Sequence, residues 1–123
     1  MRTTLCVAFA LAFCASAAAA KPAAFQINNT TWTFVDKKDG NLKESVDADG
    51  NYIENAVSGK HIDHGTAVMK GKKACFTSAM TKEGEMCWTT HPVKIGHSFV
   101  TTNDKGRKLK VTREKYVPLK MPG

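Results

Sequence analysis

Between residues 31 and 114 the chain alternates apolar and polar positions in short runs, and turn signals interrupt them about every ten residues. Asp39-Gly40, Asp49-Gly50, Gly71, Gly84, Gly96 and the Asn103–Gly106 stretch supply the punctuation. The runs between them, 31–36, 41–47, 51–57, 66–70, 73–79, 85–90, 97–102 and 107–114, read as strands, and no window carries a helical period. The expected fold is all-β: an antiparallel up-and-down meander of about eight strands, closed as a small barrel or flattened into a sandwich. Closure is favoured, because an open sheet would leave two strand edges unpaired.

Period-two alternation also sorts the side chains by face. Trp32 and Phe34 share one face, as do Leu42 and Val46, Phe99 and Thr101, and Leu109 and Val111. The stretch Lys73–Thr90 reads as a hairpin turning at Lys82-Glu83-Gly84, with Phe76, Met86 and Trp88 on one face and Cys75 and Cys87 on the other. The inward registers hold two charges, Glu44 and Arg113, which could pair or lie at a barrel mouth. An eight-stranded barrel is just wide enough to be filled by side chains or to hold one small ligand. The large inward residues (Trp32, Phe34, Phe76, Trp88, Phe99) lead to the expectation of a filled interior, with Glu44 and Arg113 near one end.

The first residues change the picture of where the protein works. Met1-Arg2, an apolar run from Leu5 to Phe13 and the alanines 17–20 form a secretory leader pattern, with cleavage expected after Ala20. A lipoprotein reading of Leu11–Cys14 is disfavoured by the bulky Phe13 before the cysteine. The expected organisation is a signal peptide at 1–20, an extended arm at 21–30, one β domain at 31–117 and a tail at 118–123. About 100 mature residues suffice for a single core. No mature stretch is long and apolar enough to span a membrane as a helix. The periplasm or the outside of the cell is oxidising, and Cys75 and Cys87 are the two cysteines left after the leader, so a disulfide between them is expected.

The whole chain carries a formal charge of +7, and much of the excess crowds the last strand. Lys108 and Lys110 alternate with Leu109 and Val111, making an exposed cationic stripe suited to an anionic envelope surface or to protecting the strand from edge pairing. Nucleic acid is not an expected partner, because the aromatics that would stack on bases face inward. Another periplasmic protein is a possible partner class.

Chemistry-bearing clusters are few. Asp47-Ala-Asp49-Gly50-Asn51 has alternating oxygen ligands, but its glycine and Glu54 come too early for a calcium loop, and a type I′ turn at Asp49-Gly50 explains it better. His61-Ile-Asp63-His64 could bind a transition metal if His91 or His97 supplied a third ligand. The same segment, lying between Gly59 and Gly65, also reads as a plain polar connection. The serines sit in no nucleophile-elbow context, and paired carboxylates such as Glu83 and Glu85 sit at a turn with no sign of the burial that tunes an acid, so enzyme activity is not expected.

The segments Trp32-Thr-Phe34, Asp49-Gly-Asn-Tyr52, His64-Gly-Thr66, Ala74-Cys-Phe76 and Cys87-Trp-Thr89 give the mature chain a resemblance to small exported proteins of Gram-negative proteobacteria that have no assigned function. The resemblance implies turns, core aromatics and a hairpin cysteine pair, and it carries over no site residue. Small periplasmic lysozyme inhibitors are similar in size and β-content, but their characteristic motif is missing and the positive charge would repel a basic lysozyme. The expectation is a non-enzymatic exported binding or envelope-accessory protein without a cofactor. The alternatives are metal binding by the His61/Asp63/His64 loop and a small, lipocalin-like carrier of a hydrophobic ligand.

Overall fold

The computed structural model describes residue 12 and residues 24–122. The rest of the leader, its cleavage point, Cys14 and the first residues of the arm lie outside the described residues. Eight strands follow one another: β1 (Thr30–Asp36), β2 (Gly40–Val46), β3 (Asn51–Ala56), β4 (His61–Lys70), β5 (Lys73–Ser78), β6 (Glu85–Thr89), β7 (Ser98–Thr102) and β8 (Lys108–Glu114). Each pairs antiparallel with its sequence neighbour from β1 to β6, β7 pairs with β8, and β8 returns to β1. The result is one nearly closed, barrel-shaped sheet. Its weak junction lies between β6 and β7, where Trp88 and Asn103 form an isolated bridge.

That junction is closed by side chains where a ladder is missing. Thr101 Oγ1 donates to the carbonyl of Thr89 at 2.6 Å, and the Thr102 amide donates to Thr89 Oγ1 at 3.1 Å. Asp104 accepts from the Cys87 amide and from Lys73 Nζ. Cys75 and Cys87 stand directly opposite each other on β5 and β6 and are bonded, so β6 is covalently tied on its well-paired side.

The inward face is the one the alternation picks out, and Phe76, Met86 and Trp88 face the lumen while the disulfide lies on the other face. Ile27 on the arm, Trp32, Val46, Tyr52, Ala67, Ala74 and Val111 form the buried core. This core fills one end of the barrel. Trp32 is 5 % exposed, and its indole N–H donates to Thr30 Oγ1 at 2.9 Å. Its ring meets Phe99 edge-on at 5.8 Å and Phe25 of the arm at 6.3 Å. Arg113 lies over Phe25, 5.9 Å from the ring centre, and donates to the Val93 carbonyl at 2.9 Å. Arm, β6–β7 loop and Arg113 together cap this end.

Three expectations are corrected. Glu44 and Arg113 do not pair: both are register partners of Trp32, one on either side, so an indole and two strand spacings of about 4.8 Å separate them. Asp49-Gly50 is not a type I′ turn, because Gly50 alone of the two has a positive φ, +84°. The Gly50 amide donates to the Asp47 carbonyl, and Asp47 Oδ1 accepts from the amides of Asp49 and Asn51, so a side chain organises the turn. Those backbone donors, Asn51 first, hold the Asp47 carboxyl below the usual range.

The third correction concerns β4, which begins at His61 and not at residue 66. Gly65 is a strand residue here, not a boundary. A methyl group on it would come within 2.0 Å of the Thr77 carbonyl, so only glycine lets the end of β5 fold this closely over β4. Beyond β8, the tail crosses the outer wall. Val117 exchanges hydrogen bonds with Thr31, the Leu119 amide donates to Ser45 and the Lys120 carbonyl accepts from Asn55, one contact each on β1, β2 and β3.

Candidate functional site

The barrel interior is not filled. A cavity of about 340 Å³ runs inward from the end opposite the cap. Rings of Trp32, Phe34, Phe76, Trp88 and Phe99 line it, and the rim is formed by Asp36 and Asp39 beside the β1–β2 turn, Thr81, Glu83 and Gly84 in the β5–β6 turn, and Arg107 before β8. The expectation of a packed lumen is therefore overturned. The large aromatics cluster against the cap and along the walls, while the wall formed by β2, β3 and β4 carries carboxylates that cannot pack against one another as hydrocarbon does.

Those carboxylates form a row. Glu44 on β2 is the register partner of Glu54 on β3, and Glu54 is the partner of Asp63 on β4. All three line the cavity. The alternation of β3, with Tyr52, Glu54 and Ala56 on one face, puts Glu54 inside by the same rule that puts Glu44 inside. Asp63 reaches the lumen through a bulge: Asn55 pairs with His61 and Glu54 with Asp63, so Ile62 has no partner on β3. The extra residue sends Asp63 in and leaves His61 and His64 together on the outer wall.

The electrostatics of the row differ along its length. Burial, reinforced by the charge and hydrogen bond of Glu54, pushes the Glu44 carboxyl well above the usual range. Burial also raises Glu54, although its bond from Glu44 works the other way. Asp63 is supported differently, accepting from Tyr52 OH at 2.8 Å and Ser78 Oγ at 2.6 Å. The Tyr52 hydroxyl is pushed up, by burial first and then by that bond to Asp63, and stays a donor. Ser78 gets there because of the close β4–β5 approach at Gly65. At the rim, Asp36 pairs with Arg107, which holds its carboxyl below the usual range.

A group held neutral by burial makes stability depend on pH. The folded state keeps a proton on Glu44 that the unfolded chain releases above about pH 4.3, so stability falls as pH rises past that value toward the folded-state value. Asp36 and Asp47 act in the opposite sense and lose their contribution as pH drops below about 4. The expected melting temperature is therefore highest in mildly acid solution and declines toward pH 8. Glu44→Gln keeps the donor to Glu54 and should flatten that decline. An unchanged slope in differential scanning fluorimetry would contradict the raised Glu44 carboxyl.

The other sequence candidates lie elsewhere. His61 Nε2 and His64 Nδ1 are 3.0 Å apart, and His61 Nδ1 lies 2.7 Å from Asn55 Oδ1. Asp63, turned inward to Tyr52 and Ser78, does not join them. His91 packs edge-on against Phe99 and His97 begins the approach to β7, both at the capped end. Among the described residues, the one group of three ligand-type side chains close enough to share an ion is Cys75, Glu85 and Cys87, and both cysteines are in the disulfide. Lys108 and Lys110 are exposed on the outer wall of β8. No helix among the described residues is long and apolar enough to cross a membrane. Comparison with family models, curated proteins and solved structures gives no match.

Proposed function

We propose that this is an exported, non-catalytic binding protein that holds one small, partly apolar organic molecule inside its barrel. The observation that carries the reading is the cavity of about 340 Å³ walled by six aromatic side chains, Tyr52 among them. Its volume falls within the range of about 300–1,000 Å³ typical of small-molecule sites, and apolar walls with a few fixed polar groups are their usual lining. The leader pattern and the cysteine pair support an oxidising, exported setting. The carrier reading gains over metal binding by the His61/Asp63/His64 segment, since Asp63 turns into the lumen toward Tyr52 and Ser78, away from the two histidines.

The test is a titration of purified protein with the neutral probe N-phenyl-1-naphthylamine, read by probe emission and by quenching of Trp32 and Trp88. Saturable one-site binding that a small apolar alcohol displaces is expected. Native mass spectrometry of the same sample would reveal any molecule carried through purification. A folded protein that binds neither the probe nor any such molecule would overturn the carrier reading.

A further inference from the structure

Resting on the carrier reading, we infer that the ligand bears a cationic group, an amine or guanidinium on an apolar body, and that this group docks against Glu54 and Asp63. Of the described charged residues lining the cavity, Arg107 is the sole cation, and Asp36 at the rim already engages it. Facing it are six acids (Asp36, Asp39, Glu44, Glu54, Asp63 and Glu83) out of 11 in the whole chain. A protein of net charge +7 thus gathers over half its acids along one lumen and its rim, while Lys108 and Lys110 face outward.

Two further observations point from this row to a ligand. Glu44 is only 9 % exposed, faces the cavity, and its carboxyl has no hydrogen-bond partner among the described residues except the carboxyl of Glu54. A carboxyl row whose members lie side by side on the cavity wall can accept charge-assisted bonds from a cationic group placed among them. The row also sits in the same enclosure as the aromatic walls. Trp and Phe faces attract a cation as well as an apolar body, so both halves of such a ligand find complementary surface. Asp63, held by Tyr52 and Ser78, is preorganised to accept one more charge-assisted bond.

The probes are 4-phenylbutylamine, 4-phenylbutan-1-ol and 4-phenylbutanoate, which share a body and differ in charge, measured by calorimetry at pH 7. The amine is expected to bind at least tenfold more tightly than the alcohol, and the carboxylate most weakly. Glu54→Gln and Asp63→Asn, each checked for a native circular dichroism spectrum, should bring the amine-to-alcohol ratio toward one. Lys110→Glu on the outer wall should leave the ratio as it is. Equal affinity for amine and alcohol, or preference for the carboxylate, would overturn the charge inference while leaving the carrier reading intact. Failure of all three probes, with no binding of the neutral naphthylamine, would sink both.

Discussion

Replacing Trp32 with Ala should lower the stability of the fold by about 3–5 kcal/mol, the cost of truncating a large ring at the centre of a packed cluster. Trp32 joins β1 to the arm through Phe25, to β7 through Phe99, and to Thr30 through its N–H. Removing it leaves a hole at the capped end and separates the arm from the barrel. Trp88 is a useful contrast. It is partly exposed, lines the cavity and lies beside the weak β6–β7 junction, so Trp88→Ala should cost less stability and weaken binding of the neutral probe. Urea unfolding of both variants checks the pair. Similar losses for Trp32 and Trp88 would mean that the two ends of the barrel are equally packed, contrary to the cavity described above.

Loss of the disulfide is the second large effect. The bond closes a loop of 12 residues of sequence separation, for which the entropy of the unfolded chain predicts a contribution of about 3 kcal/mol. Its position adds a local consequence. Because β6 has a full ladder with β5 and an isolated bridge to β7, releasing Cys87 from Cys75 should loosen β6 before the rest of the sheet. Hydrogen exchange on Cys75→Ala/Cys87→Ala protein should show fast exchange in β6 with β1 to β4 still protected. Uniform exchange across all eight strands would contradict the weak-junction description.

Much of this architecture was legible in the chain because period two is a strong signal where one face is buried. The inward sets on β1, β2, β5, β6 and β8 follow directly from alternation at Trp32–Phe34, Leu42–Val46, Phe76, Met86–Trp88 and Leu109–Val111. The carboxylate row was half legible. Glu44 stood out between Leu42 and Val46, whereas Glu54 could have been found by the same rule applied to Tyr52 and Ala56. Asp63 was out of reach. Its inward direction depends on a bulge at Ile62 that no local residue pattern announces, and Gly65, which looks like a turn, is a strand position emptied for the backbone of β5. The open lumen was also illegible, since five large rings would fill it if they were spread evenly and not gathered toward the cap and walls.

The account stands most directly on ligand entry into the lumen, and a two-dimensional amide NMR titration with 4-phenylbutylamine tests it. The expected result is saturable shifts of the Trp32 and Trp88 indole N–H signals and of the amides of Glu54, Asp63 and Phe76, whose side chains meet inside the barrel although they come from five strands. Shifts confined to the outer wall, at Lys108, Lys110 or His61 and His64, would contradict it.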